Sequence, residues 1–107
     1  MPKRKPSPRT ERRARARAHA ELVHDLDRLA RRTMGGSPER PRGVESPTQV
    51  EPIAEATPCP LCAGGLGLVE HGVEAHGTER LRAARMRCTS CGVPRVLYFR
   101  IAGLLPH

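Results

Sequence analysis

Apolar residues are sparse along this chain and fall into stretches of different period. Leu22, Val23, Leu26, Leu29 and Ala30 recur at spacings of three and four, which lays them along one face of a helix. The pattern predicts a helix over residues 10–34. Thr10 is placed to cap it after the Ser7-Pro8 breaker, and Gly35-Gly36 ends it, with Pro38 preventing resumption. Ala14, Ala16, Ala18 and Ala20 favour helix, and Glu11/Arg15, Arg17/Glu21 and Asp27/Arg31 are spaced for side-chain pairing across one turn. The stripe is short. Followed toward the N-terminus, its phase meets His19, Arg15 and Arg12, which excludes a long coiled coil. It either docks on the rest of the chain or on a second copy, or it presents Leu22, Leu26 and Leu29 to a protein partner.

Residues 35–57 hold Pro38, Pro41, Pro47 and Pro52, with Pro58 following. Proline lacks the N–H that helix interiors and central strands need, so this segment is expected to be an extended linker. Val44, Val50 and Ile53 suffice only to pin it along a neighbouring surface.

From residue 58 to 104 the pattern changes to strand-like runs. Leu66 to Val73 alternates weakly, Glu79 to Cys88 is a second extended run, and Arg95 to Ile101 is the strongest. His76-Gly77-Thr78 supplies a hairpin tip and Gly92-Val93-Pro94 a second turn, so a three-stranded antiparallel sheet is expected. In the last run Leu97, Phe99 and Ile101 share a face, which is the predicted core side.

Composition limits what this pattern can build. The chain has 107 residues, no Trp, one Tyr and one Phe, too little apolar area for a large core. The net charge of +8 is uneven: residues 1–35 carry eleven Lys and Arg against four acids, residues 36–58 two against four, and the remainder six against three. Residues 1–9 are expected to be a disordered basic tail. Such a field suits nucleic acid or an acidic protein, although an Arg, Ala, Gly and Pro bias is also what a GC-rich coding sequence produces. No apolar run long enough for a signal peptide or a membrane span occurs, so a cytoplasmic protein without membrane association is expected, where thiols stay reduced.

The four cysteines are the strongest chemical signal. They form two pairs, Cys59/Cys62 and Cys88/Cys91, each with two residues between its members and with twenty-five residues between the pairs. That spacing lets two tight turns aim four sulfurs at one point, with glycines nearby (Gly64, Gly92) admitting backbone N–H groups to the thiolates. The segment Cys59 to Ile101 resembles the zinc-ribbon superfamily, whose knuckles read Cys-Pro-x-Cys-x-Gly and Cys-x-x-Cys-Gly, with Ala63 standing where glycine is common. The resemblance implies one structural Zn2+ on Cys59, Cys62, Cys88 and Cys91. It implies a C-terminal three-stranded antiparallel zinc ribbon, which with the predicted N-terminal helix and Pro-rich linker makes a small metal-stabilised α+β fold. It implies no particular activity. Rubredoxin-like iron sites resemble this donor set too, but their surroundings are aromatic-rich, unlike a chain with only Tyr98 and Phe99.

No catalytic constellation accompanies the cysteines, and four sulfurs leave no open metal position, so an enzyme is not expected. His71 and His76 read as surface histidines, and Glu74 and Glu79 are separated, unlike the adjacent acidic pair of polymerase-associated ribbons. Two functions remain. The first is nucleic-acid binding through phosphates by Arg12, Arg13, Arg15 and Arg17 on the helix and by Arg80, Arg82, Arg85 and Arg87 ahead of the second cysteine pair. The second is a protein-interaction adaptor that uses Leu22, Leu26 and Leu29.

Overall fold

Hydrogen-bond supply at the chain's punctuation residues sets where each element starts. The computed structural model describes residues 7–102, and the first helix, α1, spans Pro8–Arg32. Its cap is Ser7 and not Thr10: the Ser7 hydroxyl accepts from the Thr10 backbone N–H at 3.2 Å. Pro8 then occupies the first helical position, where the missing N–H costs no bond. Of the expected basic tail, residues 1–6 lie outside the described residues, whereas Ser7 caps α1 and Pro8 and Arg9 belong to it. At the other end the Thr33 N–H donates back to the Ala30 carbonyl at 3.2 Å, and Gly36 closes the turn by donating to Thr33 at 3.0 Å. A Cβ on Gly36 would lie 1.9 Å from the Ala30 carbonyl oxygen, so no other residue fits there.

The segment expected to be an extended linker is instead structured. Arg42–Val44 forms β1; a 3₁₀ turn, Pro47–Gln49, leads directly into α2, Val50–Ala56. The prolines that argued against helix sit where their missing N–H is harmless. Pro47 opens the 3₁₀ turn, and Pro52 lies in the first turn of α2, whose N–H groups have no intrahelical acceptor. Val50 and Ala54, four apart, lie on one face of α2 and are fully buried. Two residues at that spacing were too few to reveal the helix against a proline-rich background.

Three longer strands follow: β2, Leu66–His76; β3, Glu79–Cys88; and β4, Pro94–Ile101. The sheet is four-stranded and mixed, in the order β1-β4-β3-β2, rather than three-stranded and antiparallel. β1 runs parallel to β4 with Arg42 opposite Phe99 and Val44 opposite Ile101. The β2–β3 hairpin closes through Gly77 at φ +63°, and β2 carries one extra residue, Val69, between Leu68 (opposite Met86) and Glu70 (opposite Arg85). Such a bulge bends the strand and leaves Val69 exposed.

Directly opposed residues share a face, so register assigns the core. Ala84 lies opposite Leu97, and both are buried with Phe99, Ile101, Met86, Val44 and Leu66 under Val50 and Ala54 of α2. The Phe99 side is the core side, as the alternation predicts. Ala83 opposite Tyr98 and Arg85 opposite Val96 belong to the other face.

α1 has no buried residue and stands apart from this core. It is held by the ion pair from Arg95 to Asp27, by the half-buried Val23, Leu26 and Ala30, and by the chain leaving its C-terminus, where the Gly35 carbonyl accepts from the Tyr98 N–H at 2.8 Å. The radius of gyration, 18.8 Å against about 13 Å for a compact domain of this length, reflects the projecting helix.

Val50→Asp tests the corrected middle segment. A carboxylate in that fully buried site is expected to destabilise the fold by about 3 kcal/mol or more, measured by urea unfolding. A loss below ~0.5 kcal/mol, as for an exposed linker position, would contradict the α2 packing.

Candidate metal centre and the arginine surfaces

The two cysteine turns are built alike. In the first, the Ala63 N–H donates to the Cys59 carbonyl and the Cys59 N–H to the Gly64 carbonyl, both at 2.8 Å. In the second, Gly92 donates to Cys88 and Cys88 to Val93, both at 3.0 Å. The residue after the second cysteine has positive φ in each, Ala63 at 61° and Gly92 at 77°. The Thr89 N–H and hydroxyl fasten the turns together on the Gly65 carbonyl, at 2.9 and 3.0 Å. Just beyond, Leu66 and Cys88 form the first rung of the β2–β3 ladder. The approach of the turns is close enough that a Cβ on Gly64 would meet the Ser90 Oγ at 2.7 Å and the Cys62 Sγ at 3.2 Å.

All four Sγ atoms lie within 4.8 Å of one another, with Cys62 to Cys88 at 3.4 Å and Cys59 to Cys91 at 3.7 Å. A regular tetrahedron with metal–sulfur bonds of about 2.3 Å has edges of about 3.8 Å, so the donor set fits one ion such as zinc. A disulfide needs about 2.05 Å between sulfurs, and all four cysteines are free thiols. Cys59 and Cys88 are buried; Cys62 and Cys91 face solvent.

The thiols differ in acidity for local reasons. The Cys91 N–H, seconded by that of Ser90 (both 3.4 Å from the Cys88 sulfur), lowers the Cys88 thiol to about 6. Cys91 accepts from the Val93 N–H, which lowers it, yet burial and the neighbouring sulfurs Cys88, Cys62 and Cys59 push it up to about 12. Cys62 is likewise raised: the Gly64 N–H opposes the shift, while Cys88 and burial drive it. Four crowded sulfurs cannot all ionise without a cation among them, and metal uptake must displace protons from Cys62 and Cys91.

The predicted arginine sites fare unequally. Arg12, Arg13, Arg15 and Arg17 are exposed on α1, with one ion pair, Arg15 to Glu11 at 3.7 Å. The β3 arginines do not form one patch. Arg82 opposes Phe99 on the core side, whereas Arg85 and Arg87 lie on the other face opposite Val96 and Pro94. Arg85 is paired with Glu74, Arg87 donates to the Gly92 carbonyl at 3.2 Å, and Arg80 is exposed.

The leucine stripe also divides. Leu22 and Leu29 are exposed, 56% and 59%, while Leu26 is half-buried. Val23 shares a small hollow with Pro60, Leu61 and Val93 beside the first cysteine turn.

His71, expected at the surface, is mostly covered: it opposes Ala84 and lies 3.7 Å from Glu51 of α2. His76 is half-buried, 3.1 Å from Glu74 and edge-on to the Tyr98 ring at 5.5 Å. Arg28, Arg31, Arg32, Arg40 and Arg95, none of them a site residue expected from the sequence, line one cleft together with Arg85 and Arg87. They are scattered over sixty-eight positions and share only a location in the fold, so no local pattern could have grouped them.

Among the described residues no helix is long and apolar enough to cross a membrane. Comparison with protein-family models, with curated proteins and with solved structures gives no match to this chain.

Ala63 occupies a left-handed conformation that costs an alanine about 1 kcal/mol, whereas Gly92 does the same work in the second turn freely. Ala63→Gly is therefore expected to leave metal stoichiometry unchanged and raise stability by about 0.5–1 kcal/mol in chemical denaturation. A loss of stability would show that the turn is not held in this conformation.

Proposed function

We propose that this chain is a non-catalytic module, folded around one structural zinc ion held by Cys59, Cys62, Cys88 and Cys91, that binds nucleic acid through phosphate contacts. The cysteine turns act as the two knuckles of a zinc ribbon, elaborated by β1, α2 and α1. With four protein sulfurs on the ion there is no position for an activated water, and the metal serves folding rather than chemistry.

The observation that carries this reading is the N-terminal half of α1. Residues 8–22 are exposed throughout, with Arg9, Arg12, Arg13, Arg15 and Arg17 against only Glu11 and Glu21. A projecting cationic helix of this kind lies along a phosphate backbone without needing a shaped pocket. With one tyrosine and one phenylalanine in the chain, and Phe99 in the core, there is little for bases to stack on. Affinity then comes from counterion release, with a steep salt dependence and weak sequence preference.

Replacing Arg12, Arg13, Arg15 and Arg17 with Gln is expected to lower the slope of log affinity against log salt by about 3 to 4 on duplex DNA. Fluorescence anisotropy across a salt series measures it. Binding that is absent at ~50 mM salt, or insensitive to salt, would overturn the reading.

A second reading, a protein-interaction adaptor, is favoured by the exposure of Leu22 and Leu29 on one side of α1. The double substitution Leu22→Asp and Leu29→Asp separates the two. It abolishes capture of a protein partner under the adaptor reading and leaves the salt slope on DNA near that of the parent under the first.

A further inference from the structure

A cleft of about 870 Å³ opens between the C-terminal turns of α1, the loop that follows and strands β3 and β4. Seven arginines line it against two carboxylates, Asp27 and Glu39. Such crowding of one charge is unfavourable unless something answers it, so the partners of each guanidinium matter.

Asp27 accepts from Arg95 and, at 2.9 Å, from Arg31. Arg85 is paired with Glu74. Arg40 and Arg87 each spend one donor on a backbone carbonyl, of Arg32 at 2.7 Å and of Gly92 at 3.2 Å, which holds the side chain and neutralises nothing. Among the described residues Arg28, Arg32, Arg40 and Arg87 form no ion pair. Arg95 is the most telling. Its side chain is 8% exposed and its Nη2 is buried with no hydrogen-bond partner. A buried donor left unmade is costly, and here it belongs to a charged group at the cleft wall.

We propose that this cleft binds the phosphate of a nucleotide, free or within a nucleic-acid strand. Four uncompensated guanidiniums and one orphaned donor call for an anion with several acceptor oxygens and more than one charge. Phosphate meets that demand through paired N–H contacts, and a single carboxylate does not. The cleft also has an apolar side, where Val69 of the β2 bulge, Val96 and Tyr98 offer a wall to the sugar or base. Asp27 acts as the resident counter-charge for Arg31 and Arg95. The inference goes beyond the nucleic-acid reading above, because the cleft takes a phosphate whether or not the exposed N-terminal half of α1 binds a strand.

The test uses the zinc-loaded full chain, titrated with sodium tripolyphosphate, ATP and a short oligothymidylate and followed by NMR. The Tyr98 ring and the Arg28 and Arg32 side-chain resonances are expected to move. The double variant R28Q/R32Q changes exposed positions, so its melting temperature should stay near that of the parent while phosphate affinity falls at least ~10-fold. D27N leaves Arg31 and Arg95 unanswered, so its melting temperature should drop in phosphate-free buffer and recover when tripolyphosphate is added. Stronger binding of ATP assigns the site to free nucleotides, and stronger binding of the oligothymidylate assigns it to a strand; either supports the proposal. A titration in which no probe moves Tyr98, an R28Q/R32Q affinity equal to that of the parent, or a D27N deficit that tripolyphosphate leaves unchanged overturns it. The quadruple Gln variant of Arg12, Arg13, Arg15 and Arg17 keeps the two readings apart, since it should lower the salt slope on duplex DNA while retaining the tripolyphosphate response at Tyr98.

Discussion

Everything else in the structure hangs on the convergence of four sulfur atoms from two turns that lie twenty-five residues apart in the chain. That convergence fixes the start of the β2–β3 ladder at Leu66 and Cys88 and anchors the turn from β3 into β4. It also places the end of α2 beside the sheet, since only Thr57 and Pro58 separate α2 from Cys59. The apolar core beyond it is modest. Phe99, Leu97, Met86, Leu66 and a few smaller residues bury one face, and domains with so little apolar area seldom hold together by burial alone. A structural zinc contributes an apparent ~10 to 16 kcal/mol in small finger peptides, more than the whole stability of many domains. Four sulfurs within 4.8 Å of one another, with Cys62 and Cys91 pushed up and Cys88 held down, form a donor set that fits one cation such as zinc.

Around this centre the sheet has two unlike faces. On one, α2 lays Val50 and Ala54 over the Phe99 side and completes a dry core. On the other, charge prevails, with Glu74 set between Arg85 and His76. α1 reaches the start of β4 through the Asp27–Arg95 pair, Arg95 lying opposite Met86. An ion pair, a short loop and a few half-buried residues (Val23, Leu26, Ala30) hold a helix less firmly than a fully buried apolar interface does. This arrangement leaves the N-terminal half of α1 projecting and the arginine cleft beneath its C-terminal turns open. The proposed functions sit on α1 and in the cleft beneath it, while the four-cysteine cluster lies at the end of the sheet, where its two turns join the strands.

The sequence was legible where a residue's type dictates its geometry. Two pairs of cysteines announced a metal site, and Gly77 and the alternation of Leu97, Phe99 and Ile101 announced a hairpin and a core face. The helix was legible too, but its start was misjudged because Ser7, ahead of Pro8, outcompetes Thr10 as the cap. The middle segment was misread because prolines at helix starts look the same as prolines in a linker. Only the burial of Val50 and Ala54, a tertiary fact, separates the two. The parallel pairing of β1 with β4 was hidden for a similar reason, since three residues with a single buried side chain, Val44, carry no alternation to recognise. The arginine cleft was out of reach altogether, being assembled from a helix, a loop and three strands.

The most direct measurement is removal and return of the metal, followed by two-dimensional amide NMR. The account predicts that chelation collapses the dispersed resonances of β2, β3 and β4 to the narrow range of an unfolded chain. One equivalent of zinc should then restore them, with no further change beyond one equivalent. A metal-stripped chain that keeps its native sheet resonances, with Phe99 still buried, would contradict the claim that four converging thiolates hold this fold together.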